Sequence, residues 1–323
     1  MLSDAFGRQF TYLRLSVTDV CNFRCQYCLP DGYQCERTRN EMSLEEIGRV
    51  ATAFTQLGIQ KIRLTGGEPS IRRDLIEIIA RLRALDGLKT IALTTNGYKL
   101  PQKVSGWVEA GLDALNVSVD SLDARLFQSL TGHNRLREVL EGIDKALSLG
   151  LKVKVNSVLL RGWNDHQLDQ FLAWIKDTPI SIRFIELMQT SDNLAYFKRH
   201  HVSGALVRDK LYTLGWREVA RSPTSGPAVE MVHPDYAGRI GLIMPYSPDF
   251  CRRCNRLRIS SEGNLHLCLF ASEGHSLRHF MQNDAQLSQL KAQILALLQR
   301  KSEGHQLHQG RTGMTKQLAM IGG

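Results

Sequence analysis

Apolar and polar side chains alternate over residues 12–18 (YLRLSVT), the period-two signature of a half-buried strand. The same alternation recurs at 60–65 (QKIRLT), 89–95 (KTIALTT), 113–119 (DALNVSV), 151–159 (LKVKVNSVL) and 181–187 (SIRFIEL). Between these runs the period lengthens to that of a helix. Leu44, Ile47, Val50, Phe54 and Leu57 share one helical face, and Ser43 with Glu46 supplies a capping box at its start. Leu136, Val139, Leu140, Ile143 and Leu147 repeat the spacing, as do Leu168, Phe171, Leu172 and Ile175. Six strands alternating with helices predict an α/β fold of parallel units, doubly wound or curved into a partial barrel.

Polar residues cluster where those strands end. Beyond them come a cysteine-containing loop, Gly66-Gly67-Glu68-Pro69, Thr94-Thr95-Asn96, Ser118 with Asp120, and Glu186 with Met188. Barrels and open α/β sheets both hold their sites at the C-terminal ends of strands. Because all six strands contribute, a six-stranded partial barrel is favoured, over residues 1–188. Past residue 188 the periodicity weakens, and 220–228 (ARSPTSGPA) and 233–238 (HPDYAG) are rich in turn formers. IGLIMPYS then reads as a strand, RLRIS and LHLCLF as a hairpin across SEGN, and Leu287, Leu290, Ile294 and Leu297 as a final helix. Residues 189–300 form a C-terminal region, and 301–323, with five glycines, a mobile tail.

Six of the seven cysteines form two triplets, Cys21, Cys25 and Cys28, then Cys251, Cys254 and Cys268. Three is odd and the internal spacings are short, so neither triplet is a closed disulfide set. Three thiolates converging on one point suit a metal centre with a position left open for a small molecule. Cys35 has no assigned partner and is expected as a free thiol.

The chain's 323 residues, 43% of them hydrophobic, can bury a large core. The start, MLSDAFGRQF, lacks a secretory signal, and no window reaches the roughly 18 apolar residues of a membrane span. A cytoplasmic protein with reduced thiols is expected, which favours metal over disulfide. The net charge of +9, from 41 basic and 32 acidic residues, suits a polyanionic partner or a solvated basic surface. No GxxxxGK[ST] occurs, so nucleotide phosphates would be held by side-chain cations. Arg14, Arg63 and Lys154 lie within strands, where substrate binding and buried salt-bridging are both open. Arg256 and Arg258 alternate beside the second triplet, so both guanidinia project from one face, where phosphate or carboxylate is the natural partner.

The spacing CNFRCQYC in a loop after the first strand, with GGEP after the second, resembles the radical S-adenosylmethionine superfamily. Within it, LRLSVTDVCNFRCQYCLPDG, KIRLTGGEP, LTTNGY, LNVSVDSLD, RFIELM, CRRCNRLRIS, Cys268 and terminal Gly322-Gly323 resemble the radical enzymes that cyclise GTP in molybdenum cofactor biosynthesis. That resemblance implies an incomplete six-stranded radical S-adenosylmethionine barrel with a C-terminal layer, each carrying a 4Fe-4S cluster. Cys21, Cys25 and Cys28 would hold the first cluster, and Tyr27, Gly67, Ser118 and Met188 would contact S-adenosylmethionine. Cys251, Cys254 and Cys268 would hold the second. Arg14, Arg63, Thr94, Lys154, Arg256 and Arg258 would contact GTP, with Leu257 contributing backbone. Arg256, Arg258, Gly322 and Gly323 would also serve catalysis, the double glycine threading into the active site.

The implied reaction converts GTP to 3′,8-cyclo-7,8-dihydro-GTP through a 5′-deoxyadenosyl radical. A companion pyranopterin-forming synthase would take the product, and an electron donor is required. A monomer or homodimer is expected, with neither nucleic acid nor membrane as partner. Two rival readings remain at this point. One is a radical enzyme that modifies peptides and carries an auxiliary cluster. The other is a non-catalytic zinc-ribbon protein that binds RNA, with His266 completing the second triplet's ligands.

Overall fold

The computed structural model describes residues 2–34, 40–220, 225–271 and 273–313. The six expected strands form as β1 (Tyr12–Thr18), β2 (Lys61–Gly66), β3 (Thr90–Thr95), β4 (Ala114–Ser118), β5 (Lys152–Leu159) and β6 (Ser181–Glu186). Each pairs in parallel with the next in chain order. Helices α1 (Leu44–Gln56), α2 (Leu75–Arg83), α3 (Leu100–Glu109), α4 (Ala124–Thr131), α5 (Leu136–Ser148) and α6 (Leu168–Asp177) make the crossovers. Right-handed crossovers between strands laid down in sequence order all fall on one face. A doubly wound sheet instead reverses its strand order at a switch point. The order therefore decides for the partial barrel: helices cover one face and the other is left for a site.

Alternation along the strands divides the two faces. Leu13, Leu15 and Val17 of β1 and Ile62 and Leu64 of β2 are fully buried in the core with Ile47, Val50 and Phe54 of α1. Residues of opposite parity, Tyr12, Arg14, Lys61 and Arg63, line a cavity on the inner face. The capping box at α1 is formed: the Ser43 hydroxyl accepts from the Glu46 amide, and the Glu46 carboxylate accepts from the Ser43 amide. That carboxylate also takes Arg278 Nε at 2.8 Å, tying the C-terminal region to the barrel.

The C-terminal region contributes α7 (Leu194–His200), α8 (Gly204–Thr213), β7 (Arg217–Glu218), β8 (Val229–Val232), β9 (Arg239–Ile243), β10 (Arg256–Ile259), β11 (Asn264–His266), β12 (His275–Ser276) and α9 (Leu287–Leu298). It continues the same sheet: β9 runs parallel to β6 at one edge and β10 parallel to β1 at the other. Residue 188 is therefore a boundary in sequence, not a break in hydrogen bonding. Asn255 Nδ2, donating to the Ser225 carbonyl at 3.1 Å, links the two edges across the inner face.

Several elements here lacked a sequence signal. Helix α7 buries no residue and α8 only Gly204 and Leu211, so neither carries an apolar stripe. The hairpin of β10 and β11 is as expected, but its second strand is shorter than LHLCLF. The two-residue β12 pairs only with Asn264 and Leu265, which leaves Cys268 beyond the ladder. The tail expected to be mobile is described over 301–313, where it meets the loop of the second triplet. Lys301, Leu307 and Thr312 are buried, and a Cβ on Gly304 would lie 3.8 Å from the Cys251 sulfur. Gly322, Gly323 and Cys35 lie outside the described residues.

Candidate active site

The loop after β1 is fixed by backbone bonds before any metal is considered. The amides of Cys28 and Leu29 both donate to the Cys25 carbonyl at 2.9 Å, curling the loop. Arg24 and Gln26 donate to the carbonyls of Thr131 and Leu130 at the end of α4, and Asn96 Nδ2 donates to Asn22 Oδ1 at 2.9 Å. Tyr27 gives its hydroxyl proton to Asp120 Oδ2 at 2.9 Å, while Asp120 Oδ1 accepts the Val158 amide. Burial pushes the Asp120 carboxyl up to about 6.

Cys21, Cys25 and Cys28 line one cavity with Tyr27, Gly67, Ser118, Asp120 and Met188. Burial pushes the Cys21 thiol up to about 11 and the Cys25 thiol well above its ordinary value. The charges facing Cys25 are those of Asp120 and the other two thiols, so its thiolate needs a bound cation. Among the described residues, no three His, Cys, Asp or Glu side chains gather tightly enough for a single metal ion. An iron-sulfur cubane instead takes each thiolate on a separate iron, and three thiols around a common cavity fit that demand.

Gly66 and Gly67 bring β2 against this loop. The Gly67 amide donates to Thr18 O at 2.9 Å and the Glu68 amide to Val20 O at 2.8 Å. Gly66 has φ +148°, and a Cβ on Gly67 would sit 2.3 Å from the Val20 carbonyl oxygen. Glu68, fully buried, then accepts from Ser70 N, Thr95 Oγ1 and Asn96 N, so one carboxylate ties the loops after β2 and β3 together. Gly67→Ala is expected to destabilise the protein by about 2 kcal/mol through overpacking and to weaken S-adenosylmethionine binding at least about tenfold. Thermal unfolding and cofactor calorimetry at matched iron content check this; a substitution neutral in both would mean the loop has room.

The second triplet lies across the inner face. Cys251, Cys254 and Cys268 line a cavity with Phe250, Phe270, Arg256 and Arg258. Arg8 holds this loop from the N-terminus, donating to Cys251 O at 3.2 Å and Ser302 O at 2.6 Å. At Cys254, burial would raise the thiol, but Arg256 and Lys301 outweigh it and bring it to about 7. Cys254 is therefore poised to give up its proton to a cationic centre, whereas burial pushes the Cys251 thiol up. His266, the residue that would complete a zinc ribbon, does not line this cavity. Burial and the neighbouring Arg258 push its imidazole down to about 4.

The floor of the cavity is cationic. Arg258 of β10, Arg14 of β1 and Arg63 of β2 are direct register partners on three adjacent strands, and Arg256, Tyr12 and Lys61 form the row beside them. Arg183 of β6 completes the set. Like charges directly opposite one another destabilise a sheet. Burial, then Arg258, holds Arg14 well below the ordinary guanidinium value, and burial with Arg256 brings Arg258 to about 10. The row therefore concentrates positive charge on the cavity floor.

Residues anticipated from sequence divide between the cavities. Cys21, Cys25, Cys28, Tyr27, Gly67, Thr94, Ser118 and Met188 line the first; Arg14, Arg63, Arg256, Arg258, Met188 and the second triplet line the second. Thr94 thus sits in the cavity of the first triplet, where its hydroxyl takes Arg63 Nη1 at 3.3 Å. Lys154 lines neither cavity; it pairs with Glu230 at 3.3 Å. Leu257 is fully buried, with parity opposite to its arginine neighbours. Tyr12, Lys61, Asn156 and Arg183 were missed. Their parity along β1, β2, β5 and β6 matches the inner-face residues, and that signal could have found them. Asn156, Ile185 and Met188 line both cavities, so the two adjoin. No helix among the described residues is long and apolar enough to cross a membrane.

Residues 15–175 match the Radical SAM superfamily and residues 180–307 match Molybdenum Cofactor Synthesis C. The chain is 53% identical to the GTP 3′,8-cyclase of Actinobacillus succinogenes, with 100% of this chain and 96% of that protein covered. It is 55% identical to the GTP 3′,8-cyclase of Klebsiella pneumoniae, with coverage of 100% and 99%. Among solved structures, Streptococcus suis SuiB bound to S-adenosylmethionine superposes with a TM-score of 0.67 over 90% of this chain and 68% of that one. At 14% identity it shows the shared fold alone.

Proposed function

From a chain that belongs to the radical SAM superfamily and, within it, to the GTP 3′,8-cyclase family, we infer that the two adjoining cavities divide the cyclisation of GTP between them. The observation that carries this reading is the row Arg258, Arg14 and Arg63, three guanidinia in register beside a thiol triplet, in a cavity that adjoins the other triplet's. A triphosphate matches the sign of that row, and guanidinia pair with its oxygens two at a time.

Cys21, Cys25 and Cys28 would hold the first 4Fe-4S cluster, which would bind S-adenosylmethionine and supply the electron for its cleavage. Tyr27, Gly67, Ser118 and Met188 would border the rest of that cofactor, Tyr27 held in place by Asp120. When bound, this pair supplies the 5′-deoxyadenosyl radical that removes the ribose 3′ hydrogen. Cys251, Cys254 and Cys268 would hold the second cluster, which would supply a Lewis-acidic anchor for the substrate beside the arginines. Arg14, Arg63, Arg256, Arg258, Lys61 and Arg183 bind the triphosphate and fix the ribose against the shared wall of Asn156, Ile185 and Met188. That positioning brings the reacting carbon toward the first cavity and excludes water from it. Residues 1–188 form the barrel unit and 189–300 the unit that completes the nucleotide site. The product, 3′,8-cyclo-7,8-dihydro-GTP, passes to a companion pyranopterin-forming synthase, and reduced thiols suit the cytoplasm.

The test is anaerobic turnover of reconstituted protein with GTP, S-adenosylmethionine and a low-potential reductant, followed by product identification. Cofactor cleavage driven by a peptide and not by GTP would turn the reading toward peptide modification. In the same assay Arg256→Ala and Arg258→Ala each lose about 1.5–3 kcal/mol of nucleotide affinity or transition-state binding, roughly 10- to 150-fold. S-adenosylmethionine affinity stays unchanged. Unaltered GTP calorimetry and turnover would return both arginines to a surface role.

A further inference from the structure

Among the described residues that line the nucleotide cavity, Tyr12 is the one acidic side chain apart from the cysteines. It is buried on β1, and Arg63 Nε donates to its phenol oxygen. Lys61 Nζ lies 5.2 Å and Arg63 Cζ 5.7 Å from its ring centroid. Its register partners are Lys61 on β2 and Arg256 on β10. Further charges come from Arg14 on its own strand, Arg258 on β10 and Arg183 on β6, and Glu230 on β8 is already shared by Arg183 and Lys154. Arg63 and Lys61 are thus the cations in direct contact with the Tyr12 side chain.

We propose that Tyr12 is a positioning residue whose phenol oxygen stands in for a substrate phosphate: it holds Arg63 in place while the cavity is empty and yields it, taking up a proton, when the nucleotide's anion binds. The proposal rests on the reading of this cavity as the GTP site. Burial alone would raise the phenol, but Arg63, then Arg14, Lys61 and Arg183, overcome that and bring it to about 7. The group is thus a phenolate in the empty cavity at mildly alkaline pH, bonded to the guanidinium. A triphosphate beside it opposes that charge and returns the phenol to its neutral form, in which it donates to a phosphate oxygen. The proton comes from solvent, so GTP affinity falls as pH rises through the empty-site value.

The experiment is calorimetry of GTP binding to reconstituted holoprotein at about pH 8, in buffers of different ionisation enthalpy. At this pH the γ-phosphate is already fully ionised. Burial with Arg183 brings Lys154 to about 8, so it can take up a proton too. Tyr12→Phe, which keeps the ring, isolates the phenol. Expected is an uptake in wild type that exceeds the variant's by about half a proton or more. Wild-type affinity should also drop about tenfold between about pH 7.5 and 8.5, with a markedly shallower slope in the variant. Guanosine, lacking phosphates, should show no difference between the two proteins. Equal proton uptake and equal pH slopes for GTP would overturn the proposal while leaving the nucleotide site intact. If the variant misfolds, a wild-type affinity flat over this pH range overturns it equally. Failure of wild type to bind GTP at all would remove the site reading and this inference together.

Discussion

Replacing Cys21, Cys25 and Cys28 together with serine leaves about four of about eight irons per chain, abolishes S-adenosylmethionine cleavage, and spares GTP binding. The expectation follows from how the loop is built. Its anchors are the amides of Arg24 and Gln26 on α4, the Asn96–Asn22 bond and the Tyr27–Asp120 bond, none of which uses a thiol. The loop therefore keeps its course when the sulfurs go, and what is lost is the metal and its chemistry. The cations of the nucleotide cavity belong to β1, β2, β6 and β10, on the far side of the wall formed by Asn156, Ile185 and Met188. Iron and sulfide analysis, cofactor cleavage and GTP calorimetry on one preparation test all three parts. Retention of eight irons, or loss of GTP binding with the fold intact, would refute the division between cavities.

Cys268→Ser should separate radical generation from its use. The first cavity keeps its full complement of residues, so reductive cleavage of S-adenosylmethionine persists under strong reductant. GTP is no longer cyclised, because the third thiolate of the second triplet is gone. Cys268 is the vulnerable member: it lies beyond the short β11–β12 ladder and is positioned by its turn, not by strand pairing. Its loss also removes one anionic partner from Arg258, whose guanidinium feels the thiolate. Deoxyadenosine and cyclised product measured side by side give the answer. Product formation at the wild-type rate would exclude the second triplet from the reaction.

Much of this architecture is written into local pattern. Period-two alternation delimits β1–β6 to within a residue or two, because one parity is buried against helices and the other faces the cavity. The odd cysteine count and the CNFRCQYC spacing identify a metal loop before any coordinates. Where the local signal is absent, reading stops: α7 and α8 bury almost nothing, β7 and β12 are two residues long, and the packed stretch 301–313 is composed like a free tail.

By itself, then, the sequence determined the strand-helix alternation, the two thiol sets and the shared face of Arg256 and Arg258, since each is a matter of spacing along one element. Only the tertiary structure decided which residues share a cavity. Arg258 meets Arg14 because β10, more than two hundred residues later, pairs in parallel with β1, and no periodicity records a long-range pairing. The same pairing brings Tyr12 beside cations from neighbouring strands, turning a residue that reads locally as half-buried strand into a buried acid among guanidinia. It also assigns Thr94 to the first cavity and Lys154 to Glu230, because contact in a sheet depends on register between strands as well as on parity within one.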